Sequence, residues 1–152
     1  MTNHDFAHQH AELISQAEDI LATAASGREQ GLQDLPQKRL AFSRMVNAHC
    51  SIEIKLVNHT VAASTKPEQM HKLIRRFHDE LLAWRADLMD INAQWPQQKV
   101  LADPQGFRAA FSGLEQRLKA RVKWEERTFY PALWGQAARP DHSTQAVRLR
   151  VT

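Results

Sequence analysis

The sequence predicts an all-α protein, an up-down-up-down bundle of four helices. Three observations carry this. Glycine is scarce, with five in 152 residues, while long runs of Ala, Leu, Gln, Glu, Lys and Arg favour helix. Apolar residues recur at spacings of three and four in four separate stretches, without strand-like alternation of useful length. The links between stretches are short and polar, which makes consecutive helices antiparallel neighbours.

The first helix is expected over 4–25. Phe6, His10, Leu13, Ile14, Ala17 and Leu21 share one face, and Ser26-Gly27 is a C-terminal capping signal. A polar linker, GREQGLQDLP, leads to a second helix over 36–63 with Pro36 just inside its start. Its stripe is Phe42, Met45, Val46, His49, Ile52, Glu53 and Leu56. The third helix, over 67–93, carries Ile74, Phe77, Leu81, Trp84, Leu88 and Ile91, with His78 on the edge of that stripe. Trp95-Pro96 ends it, and a loop is expected to residue 102. Asp103-Pro104 caps and opens the fourth helix, which runs to about residue 130, where Pro131 forces a break or kink.

Length and composition bound the rest. A chain of 152 residues buries one core, so 1–135 read as a single bundle and 136–152 as a flexible tail. No apolar run approaches a membrane span, and the polar N-terminus lacks a signal-peptide core. The single cysteine, Cys50, excludes an internal disulfide and suits a reducing cytoplasm; it reads as a small buried hydrophobe. The net charge of +3 is modest and its basic residues are spread over acid-rich helices, so direct nucleic-acid binding is not expected. No nucleophile with a base, no phosphate-cradling glycine loop, no CxxC and no HExxH appears, so the chain is not read as an enzyme.

The informative departure is a polar interruption in the apolar stripes. On the fourth helix the inward line reads Phe111, Leu114, Leu118, Arg121, Glu125, Phe129, with two charges where Leu or Ile would ordinarily sit. His49 and Glu53 on the second helix, four apart, aim imidazole and carboxylate at one point. His10 and His78 fall at similar depth on the first and third. Buried charge persists only when paired, hydrogen-bonded or bound to metal. Nitrogen and oxygen donors from several helices suit divalent iron, manganese or zinc. His59, His71 and His142 read as surface residues, and Tyr130-Pro131 as a structural stop.

These motifs resemble the hemerythrin-like family, the HHE cation-binding domain, over residues 4–135. The family's closing pattern is matched by Arg121-x-x-x-Glu125-Glu126-x-x-Phe129-Tyr130-Pro131, its H-x-x-x-E by His49 and Glu53, and its opening helix by Gln9-His10-x-x-Leu13. His78 and the stretch Ala102-Asp-Pro-x-x-Phe107 are also similar. The resemblance implies a non-haem di-iron centre that binds or senses oxygen, with His10, His49, Glu53, His78 and Glu125 as ligands. Two positions depart from it. Arg121 stands where a histidine ligand is expected, and the second histidine of the third helix is Ile74 or Leu82. A guanidinium cannot ligate metal and remains charged. It adds a positive charge where two metal ions would bring at least four more. The expectation is therefore a degenerate iron site of at most one metal, with Arg121 balancing charge, in a cytoplasmic binding or sensing protein.

The alternative is a metal-free protein-interaction module. Ala48-His49-Cys50-Ser51-Ile52-Glu53 and Leu118-Lys119-Ala120-Arg121-Val122-x-x-Glu125 are similar to the regulator-of-sigma-D family, helical bundles that bind the principal sigma factor. Here Glu53 and Glu125 pair with Arg121 instead of with metal, and Glu53→Gln is expected to strand the arginine.

Overall fold

The computed structural model describes residues 3–62 and 68–135, and every regular element among them is helical. The elements are α1 (Asn3–Ser26), α2 (Glu29–Ala62), α3 (Glu68–Gln94), α4 (Gln97–Ala102), α5 (Pro104–Trp124), a π-helical turn (Glu125–Phe129) and α6 (Tyr130–Trp134). The link before α3 and the predicted tail, 136–152, lie outside the described residues.

Gly27 ends α1 at φ 63°, a conformation glycine adopts without penalty. The chain then turns directly into α2, which begins seven residues earlier than predicted. The polar linker is helical because Leu32 and Leu35, three apart, are both buried. Pro36 consequently lies inside α2 rather than at its start. A proline has no N–H for the carbonyl four residues back, here that of Leu32. The Gln97 side chain supplies the missing donor, its Nε2 donating to the Leu32 oxygen at 2.7 Å.

Gln97 opens α4, a short helix where a loop was predicted, and Val100 anchors it in the core. Asp103 caps α5 as expected, accepting from the Gly106 amide at 2.9 Å, with Pro104 in the first turn. Gly106 is required there: a Cβ would collide with the Asp103 carboxylate and the Trp95 ring.

The long helices enclose one core. The principal contacts of α1 are with α2 and α5, and those of α3 are with α5 and α2. The predicted stripes on α1, α3 and α5 face inward. On α2 the buried line is Phe42, Val46, His49, Cys50, Glu53 and Val57, so Cys50 and Val57 take the places given to Ile52 and Leu56; Ile52 is exposed. One end of the core is filled by Phe42, Trp84, Phe107 and Phe111. Among the described residues no helix is long and apolar enough to cross a membrane.

Pro131 neither ends nor simply kinks the last helix. The chain widens into a π turn, and the Tyr130 amide donates to the Glu125 carbonyl five residues back. Helix then resumes through Pro131 to Gly135, which caps it at φ 73°.

Candidate metal centre

Five of these elements deliver polar side chains to a common point. α1 brings His10, α2 brings His49 and Glu53, α5 brings Arg121, the π turn brings Glu125, and α6 brings Tyr130 at its first residue. All six are buried, Glu53 to 1% exposure and Tyr130 completely. In an unbroken α-helix residues five apart lie about 140° from each other around the axis. The wide turn removes that offset, so Glu125 and Tyr130 face the same point.

Tyr130 ties the carboxylates together. Its hydroxyl donates to Glu53 Oε2 in a short bond, lies 3.0 Å from Glu125 Oε1 and sits 3.4 Å from His10 Nε2. His10 Nε2 is 3.1 Å from Glu125 Oε1, and His49 Nε2 is 3.4 Å from Glu53 Oε1. Arg121 Nη2 bonds Glu125 Oε2 at 2.8 Å and the Phe77 carbonyl at 2.8 Å. Arg121 therefore pairs with Glu125, not with Glu53; the expectation that Glu53→Gln would strand it is corrected accordingly.

Electrostatics follow from this packing. Burial alone would lower the His10 pKa, but hydrogen bonds to Glu125 and Glu126 and the carboxylate charges outweigh it and raise it to about 9. Burial favours a neutral Glu53; bonds from His49, Glu125 and Tyr130 overcome that and hold its pKa low. Burial, followed by the charge of Glu53, pushes Glu125 upward. Burial and the two carboxylates hold the Tyr130 hydroxyl protonated. Cys50, beside the centre, is an inert thiol whose pKa burial raises to about 12.

Three of these residues could hold a metal ion. His10, His49 and Glu53 offer ligand atoms that all lie within 4.8 Å of one another. Two imidazoles and a carboxylate on one side of a site is the facial arrangement that non-haem iron accepts. Both histidines are oriented for it. Nδ1 of His10 meets Glu126 Oε2 at 2.7 Å, and Nδ1 of His49 meets Gln9 Oε1 at 2.5 Å. An oxygen acceptor at Nδ1 fixes each ring with Nε2 turned inward; His10, whose proton its carboxylates hold in the absence of an ion, would release the Nε2 proton on ligating one. His10, His49, Glu53 and Cys50 also line a cavity of about 20 Å³, enough for a single small occupant.

His78 is not brought into this group. It is half-buried, its Nε2 is 3.1 Å from Asn58 Oδ1, and the preceding residue takes the inward position. Phe77 stacks on Phe129 with ring centroids 4.7 Å apart and gives its carbonyl to Arg121. Helical geometry turns adjacent side chains about 100° apart, so His78 cannot face inward beside Phe77. Sequence reasoning assigned no site role to Tyr130 or Gln9; it read Glu126 as a solvated carboxylate or one supporting a ligand, and the contact with His10 Nδ1 is of the second kind. A proline inside an otherwise continuous helical stripe was the available signal for the displaced phase at Tyr130.

The chain matches no family model, no curated protein and no solved structure.

Proposed function

We propose that this protein is a binding or sensing bundle of the up-down-up-down, hemerythrin-like kind, whose core takes at most one non-haem metal ion. The observation that carries the reading is the buried cluster of His10, His49 and Glu53 donor atoms within 4.8 Å of one another. Inward-facing Nε2 atoms and the cyclic packing of α1, α2, α3 and α5 support it. Glu125 is held by Arg121, which engages its Oε2 and keeps a fixed positive charge beside the centre. Iron bound at the three donors would supply open positions for a small ligand. The protein's own groups orient both imidazoles, keep water out and hold charge balance. That is the equipment of a binder rather than of a turnover enzyme, and it suits a cytoplasmic protein.

A second reading has its own observation. The Tyr130 hydroxyl and Arg121 guanidinium join Glu53, Glu125 and His10 into a network that is closed without metal. In that case the bundle is a metal-free interaction module, with a protein such as a sigma factor as partner. Metal content by mass spectrometry, on protein purified without affinity-tag nickel, decides the matter. Up to one iron per chain is expected; two would overturn the single-metal reading. A colourless protein that takes up no metal and melts identically with and without chelator would favour the module.

A further inference from the structure

Between α3 and α5 lies a groove of about 330 Å³, which shares Trp84 and Arg121 with the lining of the core cavity. We infer that this groove binds a small organic carboxylate, an aromatic or aliphatic body carrying one carboxyl group. The inference stands whether or not the core holds metal.

Its floor is an unusual cation. Arg121 is only 8% exposed, and while Nη2 is engaged by Glu125 and Phe77, its Nε and Nη1 are buried without a hydrogen-bond partner. Buried guanidinium donors are costly to leave unbonded. The half-exposed Glu80 approaches from the groove, its Oε1 stopping 3.7 Å from Nη1. The other Glu80 oxygen is held by Arg76 Nε at 3.0 Å. Glu80 thus spans two arginines of the groove and satisfies only one. A free carboxylate is not tethered to α3, so on displacing the Glu80 carboxylate it can settle between Arg76 and Arg121 and accept from both.

The walls choose the rest of the ligand. Trp84 is pinned by its indole N–H to the Leu114 carbonyl at 3.0 Å, and Trp124 is covered by the Arg76 guanidinium at 4.4 Å. Both rings line the groove beside the charges, with Ala83 and Ala120 completing its apolar part. Arg117 closes the rim, already paired with Asp87 at 2.6 Å. The volume is that of a small-molecule site, and one anionic group on an apolar body matches what lines it.

The test is titration of the full chain with sodium benzoate, followed by tryptophan fluorescence and calorimetry, with benzamide and inorganic phosphate alongside. Benzoate is expected to bind, with benzamide and phosphate at least tenfold weaker. Glu80→Gln removes the tethered competitor and should tighten benzoate about threefold. Arg76→Ala should weaken it about tenfold. Glu80 and Arg76 are themselves half-exposed, and a melting curve of each variant checks that the contacts to Arg121 and Trp124 are not needed for folding. Equal binding of benzoate and benzamide overturns the inference, as does phosphate binding as well as benzoate. It also fails if benzoate does not bind, or if Glu80→Gln leaves its affinity unchanged or lowered.

Discussion

The Tyr130 hydroxyl donates to Glu53 and meets Glu125 and His10 as well, and the residue sits one position before a proline. Tyr130→Phe keeps the ring and its packing on Phe6 and Trp134. It leaves Glu53 without one of the bonds that hold its charge. A loss of about 1–3 kcal/mol is expected from urea denaturation; a change below about 0.5 kcal/mol would show that the hydroxyl does not hold the centre together. Arg121→Met should cost more, about 3–5 kcal/mol, because Glu125 then stays buried beside Glu53 without its cation. At this scale the sequence was informative where type and spacing agree. His49 and Glu53, or Arg121 and Glu125, are readable because a charged residue at a core position announces itself. The pairing among them was not readable. Which carboxylate meets Arg121 depends on where α2 and α5 sit relative to each other, and no spacing within one helix encodes that.

Elements show a complementary pattern. Stripes on α1, α3 and α5 follow directly from apolar spacing, and Asp103 caps α5 as its side chain dictates. Departures arose where a distant residue supplies what the local sequence lacks. Pro36 reads as a helix start because its missing N–H is harmless only there. In the fold, Gln97 from α4 donates to the orphaned Leu32 carbonyl instead. A double-mutant cycle checks this. Gln97→Ala alone should cost about 1 kcal/mol. In a Pro36→Ala background, where residue 36 regains an amide, the same change should cost little. Equal costs in both backgrounds would show that the amide contact carries no stability.

For the whole molecule, the question is whether the centre is complete by itself or completed by an ion. The three donors come from α1 and α2, the helices that also pack on each other extensively. An ion bound there adds a tie between them in the folded state alone. Metal at about a hundred times its dissociation constant should then raise stability by about 2.7 kcal/mol. Thermal melts with added ferrous iron or zinc measure this directly. His49→Ala should abolish the shift while His78→Ala leaves it intact. An equal loss in the two variants would mean that His78 acts at the metal after all, against its position beside Asn58.

The widened turn at Glu125–Phe129 reaches beyond its own five residues. It acts as an inserted spacer, and everything downstream is clocked to it. Trp134, which reaches across to Thr60 on α2, keeps that reach only because of the added residue. Arg127 and Thr128 are exposed, so the turn depends on their number more than on what they pack against. At that place the protein counts residues rather than reading them, and a chain shorter by one would keep its composition and lose its interior wiring.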